Sequence, residues 1–372
     1  MRLTLLIAAV SIVFASAPAL SKTEPAYIVV DVGRGIVMGH NDSDRRWPPA
    51  SVTKLMTAYL TFRALKSGQI KLTSPVIISA HALAEPPSKM GYKAGTVITV
   101  DNALKMMLVR SANDIAMAIA ETIGGSEAKF VVLMNAEARR LGMNGTTFRN
   151  PNGLPADGQY STARDLAVLA RAIWMEYPEF RDYFQITAIR AGNKVLRSYN
   201  TLLDHYRGAN GMKTGFVCAS GFNVVASATR NGRTVMVVVL GETSAAARAE
   251  TAAGLLNRAF NGGLGGFAGQ DLSRFRVRPA AARPVDLYEE ICGKARAKTS
   301  ESDDAVSALG PRFVTMEPVK VFTGGAEPVG AAPAATPAAA TPSPGGEVNI
   351  PLPRPRPQYP AGASAASRPI AQ

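Results

Sequence analysis

The sequence predicts an α+β fold: one antiparallel sheet covered by helices, with a helical lobe inserted between the two halves of the sheet. Three observations carry this expectation. Two apolar, β-branched runs lie near the start and three more follow residue 209. The residues between them repeat their apolar side chains at helical spacing. Glycines and turn dipeptides punctuate the ends of these segments.

Residues 1–21 stand apart from the fold. Met1-Arg2 opens on a positive charge, an apolar run extends from Leu3 to Phe14, and small residues follow at Ala15, Ser16, Ala17, Ala19 and Ser21. That order describes a secretory signal peptide, and the run is too short to span a bilayer. Residues 27–32 and 35–40 are apolar runs around Gly33-Arg34-Gly35 and read as an antiparallel hairpin. After Pro48-Pro49, residues 51–66 place Leu, Met and aromatic side chains at helical spacing, and Pro49 and Ser51 suit a helix start. Further helices are expected over residues 100–107, 113–123, 127–141 and 161–177, with Gly124-Gly125 and Gly142 as stops. Residues 210–217, 222–229 and 234–241 read as strands. The last two are joined by Arg230-Asn231-Gly232-Arg233, a strong hairpin signal. A helix over residues 245–260 closes the domain. The expected organisation is a domain over 22–265, an extension over 266–300 packed on it, and a Pro/Ala-rich tail over 301–372.

The tail composition offers too little bulky apolar area to offset the entropy of ordering it. Its Ile350-Pro-Leu-Pro-Arg-Pro-Arg-Pro357 segment favours extended polyproline II. It reads either as a solvated appendage or as a docking peptide for a cell-envelope partner. Basic and acidic residues balance from Asp303 onward, so the net charge of +13 sits on the folded part. A basic exported domain meets acidic polymers, anionic lipid or carboxylate-bearing substrates. Nucleic acid is a poor match, because no basic-aromatic module is present. His40, His81 and His205 are scattered and the two cysteines are far apart, so no metal or other cofactor is expected. Cys218 and Cys292 are either one disulfide or two unpaired thiols.

Three short strings carry the chemistry: Ser51-Val-Thr-Lys54, Ser111-Ala-Asn113 and Lys213-Thr214-Gly215. A serine hydroxyl needs a base to become a nucleophile, and no His-Asp partner is apparent. On a helix, residues three apart share a face, so the Ser51 hydroxyl and the Lys54 amine can meet. A helix start also points free backbone N–H groups at developing negative charge. Lysine serves as a base only when desolvation or a second cation lowers its pKa, and Lys213 is the candidate cation. Taken alone, Ser-x-x-Lys is most often surface decoration. Ser111-Ala-Asn113 before an apolar run also reads as a helix N-cap, a role expected alongside any chemistry.

In order and spacing, the three strings resemble the active site of the serine penicillin-recognising enzymes. The flanking residues Pro48-Pro-Ala-Ser-Val-Thr-Lys-Leu-Met-Thr-Ala-Tyr-Leu60, Leu108-Val-Arg-Ser-Ala-Asn-Asp114, Phe148-Arg-Asn-Pro-Asn-Gly-Leu-Pro155 and Gly211-Met-Lys-Thr-Gly-Phe216 narrow this further. They resemble the serine-type D-alanyl-D-alanine carboxypeptidases, the low-molecular-mass penicillin-binding proteins, from about residue 27 to 260. The resemblance implies the β-lactamase/DD-peptidase fold, removal of the terminal D-Ala from peptidoglycan stem peptides, and covalent capture by β-lactams such as penicillin. It implies Ser51 as nucleophile, Lys54 as base and Ser111 as proton relay to the leaving amine. Asn113 would hold the substrate backbone, while Lys213 and Thr214 bind its terminal carboxylate. Gly215 would let substrate lie along the strand edge, and the backbone N–H groups of Ser51 and Phe216 would form the oxyanion hole. Arg248 resembles an arginine that orients the substrate carboxylate, or else is a solvated helix charge.

The same residues serve a D,D-endopeptidase or a transpeptidase, since water and an amine compete for one acyl-enzyme. A β-lactamase fits less well, because no Glu-x-x-Leu-Asn string stands between Asn113 and Lys213. A catalytically silent wall-binding protein is the reading of a different class, and the intact motif residues argue against it. Residues 361–372 lack an apolar helical face, so no C-terminal membrane anchor is evident. The expected location is secreted, in the periplasm or against the cell envelope.

Overall fold

A strand with an unbroken apolar run at its centre is expected to be buried on both faces, and that is the position of the strand Arg233–Glu242, apolar from Val235 to Leu240. In the computed structural model, which describes residues 23–264, 269–276, 283–293, 309–312 and 316–327, it lies at the centre of a five-stranded sheet. In chain order the strands are β1 (Ala26–Asp31), β2 (Ile36–Asn41), β3 (Pro75–Ile77), β4 (Val97–Thr99), β5 (Ala188–Ala191), β6 (Lys194–Arg197), β7 (Ala209–Val217), β8 (Gly221–Arg230), β9 (Arg233–Glu242) and β10 (Val319–Val321). The helices are α1 (Lys54–Lys66), α2 (Ala80–Ala84), α3 (Val100–Arg110), α4 (Asn113–Gly124), α5 (Glu127–Leu141), α6 (Ala163–Glu176), α7 (Leu202–His205), α8 (Ala245–Phe260) and α9 (Tyr288–Cys292).

The large sheet has the order β2-β1-β9-β8-β7 and is antiparallel throughout. It uses strands from both ends of the domain, as the sequence pattern predicts. Side-chain alternation divides β9 between two cores. Met236, Val238 and Leu240 join the larger core beneath α1 and α6, whereas Val235, Val237 and Val239 pack under α8. Each such side chain contributes about 1.5–3 kcal/mol on burial. Helix α1 is buried on every side from Lys54 to Phe62, the mark of a helix threaded through a core rather than laid over it.

The helix starts follow local chemistry. Thr99, Ser126, Thr162 and Ser244 each accept from the backbone N–H three residues on, opening α3, α5, α6 and α8. Beyond the domain, Val37 donates to Gln270 and Leu272 to Gly35, which pins the extension to β2. Cys218 and Cys292 are joined by a disulfide that closes a separation of 74 residues.

The tail boundary needs correction. Residues 309–312 and 316–327 fall within the stretch expected to be a solvated tail, yet β10 pairs in parallel with β5. Gly324 donates to the Val97 carbonyl, and Glu327 accepts from Thr73 and Lys71. A backbone ladder of this kind asks little of side-chain composition, which is why composition alone missed it. The expected signal peptide and the Ile350–Pro357 segment lie outside the described residues. Among the described residues, no helix is long and apolar enough to cross a membrane, and no cluster of ligands suits a metal ion.

Candidate active site

The nucleophile segment is seated by its neighbours before any chemistry is considered. Trp47 is fully buried and donates its indole Nε1 to the Ser220 carbonyl at 2.8 Å, while Asn223 of β8 donates Nδ2 to the Pro48 carbonyl at 3.0 Å. Ala50 then takes φ 48°, a left-handed conformation that costs a residue with a Cβ about 1–2 kcal/mol. A 3₁₀ turn over Ala50–Thr53 follows and runs directly into α1. Ser51 is half-buried while residues 52–60 are buried, so this segment meets solvent at the serine.

Two glycines permit that seat. Gly153 sits at φ 87° on one side, where any Cβ would overlap the Ala50 carbonyl. Gly215 of β7 sits on the other, and a Cβ there would lie 2.9 Å from the backbone nitrogens of both Ser51 and Val52. The turn therefore gives Gly215 a reason of its own, beside the expected clearance for substrate along the strand. A side chain at this position is excluded by the nucleophile turn itself.

Lys54 is fully buried at the first turn of α1. Its Nζ lies 3.0 Å from Ser51 Oγ, 2.7 Å from Asn113 Oδ1 and 2.6 Å from the Asn152 carbonyl oxygen. Two of these partners are amide oxygens that can only accept, whereas the third is a hydroxyl that can also donate. The expected meeting of Ser51 and Lys54 is thus present, at i,i+3 across the junction of the 3₁₀ turn with the helix. Asn113 divides its amide: Oδ1 accepts from Lys54 and Nδ2 donates to the Pro86 carbonyl at 2.9 Å. One Nδ2 hydrogen remains for a substrate contact.

The helix predicted to begin at residue 113 does begin there, but the capping role expected of Ser111 is absent. Ser111 ends α3 at φ 61°, and Ala112 is the N-cap of α4, with no side-chain capping bond. The short link between two helices reverses the chain at Ser111, which leaves its side chain unavailable for capping. Its Oγ is buried and has no hydrogen-bond partner among the described residues. The link is braced from residues 86–91: Asn113 donates its N–H to the Ser88 carbonyl at 2.7 Å, and Asp114 accepts from the Met90 and Gly91 N–H groups.

Lys213 and Thr214 are buried on β7, and Lys213 Nζ donates to the Thr214 carbonyl at 2.7 Å. Phe216 follows Gly215 on the same edge strand, stacked on Phe222 with ring centroids 4.3 Å apart. Arg248 is buried on α8, so the solvated-charge alternative does not hold. Its Nη2 donates to the Tyr199 carbonyl at 3.1 Å, and Arg110, next to Ser111, lies over the Tyr199 ring.

Two residues near the lysine escaped the sequence reading. Asn152 supplies the backbone carbonyl on Lys54 and donates its Nδ2 to Glu85 Oε2 at 2.9 Å. Burial pushes the Glu85 carboxyl above its ordinary value and nearby Glu127 adds to this, while Asn152, His81 and Lys54 pull the other way. The run Asn150-Pro-Asn-Gly153 carried a turn signal but nothing that marks a main-chain oxygen as a partner for lysine.

With this geometry in place, comparison with known proteins is informative. The family model described as D-alanyl-D-alanine carboxypeptidase, peptidase S11, matches residues 13–244. The chain belongs to this family. The family's DacC from Escherichia coli (strain K12) is 38% identical over 231 residues, covering 58% of this chain and 56% of that protein. The chain thus spans little more than half the length of that relative. Among solved structures, the D-alanyl-D-alanine carboxypeptidase DacD from Francisella tularensis superposes with a TM-score of 0.62 at 31% identity, covering 68% of this chain and 74% of the other. Penicillin-binding protein D2 from Listeria monocytogenes, in its ampicillin-bound form, gives 0.56 at 29% identity, covering 63% and 96%. These likenesses agree with the expected α+β, β-lactamase/DD-peptidase-like architecture.

Proposed function

We propose that this chain is an exported serine D-alanyl-D-alanine carboxypeptidase that removes the terminal D-Ala from peptidoglycan stem peptides through an acyl-serine. The observation that carries this reading is the set of partners around Lys54. A neutral amine has two N–H bonds and one lone pair. With Lys54 neutral, the two amide oxygens can take its two N–H bonds, which leaves the lone pair for the Ser51 hydroxyl at 3.0 Å. Complete burial disfavours the ammonium form and supports the same assignment.

Ser51 Oγ adds to the carbonyl of the penultimate D-Ala as its proton passes to Lys54 Nζ. The oxyanion is held by the N–H groups of Ser51 and Phe216. Collapse breaks the C–N bond, and the departing amine takes through Ser111 Oγ the proton that Lys54 had accepted, which returns Lys54 to its neutral form and leaves the substrate acyl group as an ester on Ser51. Water then adds to that ester and gives up its proton to Lys54. The C–O bond breaks, and Lys54 returns that proton to the Ser51 oxygen. Lys213 and Thr214 hold the terminal carboxylate, and Arg248 helps to orient it. A β-lactam follows the first half of this path, but its leaving amine stays tethered to the acyl group. The ampicillin-bound state of the related Listeria protein supports that reaction here. The composition of residues 1–21 and the disulfide between Cys218 and Cys292 support export.

The test is to incubate the mature protein with a labelled penicillin and with a pentapeptide ending in D-Ala-D-Ala. The expected result is a covalent adduct on Ser51 and release of a single D-Ala, both lost in Ser51→Ala. Absence of adduct and of D-Ala release in the unmodified protein would refute the reading.

A further inference from the structure

The amine of Lys54 must be aimed, and one of the two amide oxygens that aim it belongs to the main chain. A peptide unit is planar and trans, so its C=O and N–H point in opposite directions and turn together. The Asn152 carbonyl meets Lys54 Nζ at 2.6 Å, and the N–H across the same peptide unit is that of Gly153. That N–H donates to Asn150 Oδ1 at 2.8 Å. Resting on the activity proposed above, we propose that Asn150 is a positioning residue for the base: by holding the Gly153 N–H, it turns the Asn152 carbonyl onto Lys54.

Asparagine suits this task because its amide works at both ends. Oδ1 accepts from the Gly153 N–H and Nδ2 donates to the Leu154 carbonyl at 3.0 Å, so the side chain spans the turn. Pro151 stands between and brings no N–H to compete for the same oxygen. Asn150 is itself held by buried Gln159. The Gln159 Oε1 accepts from the Arg149 and Asn150 N–H groups at 2.9 and 3.2 Å, and its Nε2 donates to Asn150 Oδ1 at 3.3 Å.

The neighbouring groups are fixed by other bonds. Thr57, three residues after Lys54 on α1, donates Oγ1 to the Pro151 carbonyl at 2.6 Å. The Asn152 side chain is tied at both ends, with Nδ2 on Glu85 Oε2 at 2.9 Å and Oδ1 accepting from the Leu154 N–H at 3.1 Å. These contacts dock the turn on α1, but none of them grips the peptide unit between residues 152 and 153. Gly153, at φ 87°, leaves that unit the easiest in the turn to rotate. The bond to Asn150 opposes this rotation. It also polarises the peptide unit, which strengthens the carbonyl as an acceptor.

The test compares Asn150→Ala with Asn150→Ser. Both lose the bond to Leu154, but serine keeps an oxygen for an N–H three residues on, as Ser79 does for Ala82 at 2.9 Å. Glu85 and Lys213, the charged groups placed around the base, are the same in every variant. Acylation by a small labelled penicillin is followed by rapid quench across pH. The rate rises as Lys54 loses its proton. An oxygen turned away from Nζ no longer stabilises the ammonium, so in Asn150→Ala that rise moves to lower pH. The same displacement, up to about an ångström, slows acylation about ten- to hundredfold, whereas Asn150→Ser stays within about threefold of the parent with its rise in place. Equal losses in the two variants would overturn the proposal. So would a slower rate with the rise unmoved, because the side chain would then serve only the stability of the turn. If Asn150→Ala does not fold, Asn150→Thr and Asn150→Val repeat the comparison with side chains of matching shape. Nitrogen-15 NMR of the Lys54 amine follows its titration without turnover, and equal midpoints in the alanine and serine variants count against the aiming. A parent protein that takes up no penicillin refutes the activity, and the NMR comparison then decides the role of Asn150 by itself.

Discussion

Gly215→Ala is the sharpest perturbation of the site, because every atom that would meet the new methyl belongs to the backbone. The added Cβ lies 2.9 Å from the nitrogens of Ser51 and Val52 and 3.1 Å from the Pro49 carbonyl oxygen, where ordinary contact begins at 3.4 Å. The nucleophile turn and β7 must therefore separate by about 0.5 Å, the difference between the ordinary and the built distance. The turn has little room to yield, since Ala50 is already left-handed and backs onto Gly153. Overpacking of this kind costs about 1–3 kcal/mol of stability. An ångström of misplacement costs on the order of a hundredfold in rate, so half of that predicts about a tenfold loss in the acylation rate constant. Rapid-quench acylation by a small labelled penicillin measures this constant separately from binding, and urea denaturation measures the stability. Clearance for substrate along the strand predicts a different outcome: weaker binding of long peptides with acylation by the small penicillin unchanged. That outcome, with unaltered stability, would refute the packing account.

Two further substitutions test the frame. Replacing Cys218 and Cys292 by serine opens a loop of 74 residues and should lower unfolding free energy by about 2–4 kcal/mol in urea titrations, while unchanged stability would show that the extension adds nothing to the fold. Glu85→Gln tests the carboxyl that burial holds above its ordinary 4.5. The folded protein binds that proton more tightly than the unfolded chain, so this contribution is present below 4.5 and is lost as pH rises through the folded value. The glutamine variant cannot titrate. Its stability relative to the parent should therefore climb across that window and level off above it, and parallel stability curves across pH would refute the assignment.

What the sequence made legible was local. The helices over 161–177 and 245–260 were legible from their apolar spacing, and Ser51 and Lys54 meet because i,i+3 is a helical contact. What stayed hidden depended on partners distant in sequence. Asn152 reaches Lys54 through a main-chain oxygen, a group that every residue carries, across 98 residues. Gly215 was recognised as necessary, but its contact with the backbone of a turn more than 160 residues earlier was not. Ser111 was misjudged as a cap because a left-handed residue between two helices looks like a helix start in any local window. β10 was lost because the Pro/Ala-rich character of the later tail was extended back over Val319-Lys-Val321-Phe322, a short β-branched run.

On the mechanism proposed above, the placement of Glu85 favours keeping Lys54 available as a base. A carboxylate bonded directly to Lys54 would hold it as an ammonium and remove the lone pair that Ser51 needs. The carboxyl is instead set one residue behind, on the side-chain amide of Asn152, while the carbonyl of the same residue faces Nζ. Partial burial and the neighbouring Glu127 further disfavour its charge. The oxygens of Asn152 and Asn113 can fix the direction of the amine without fixing its proton. A base that must accept and release a proton within each turnover requires that separation, and neutral amide oxygens supply it where an ion pair would not.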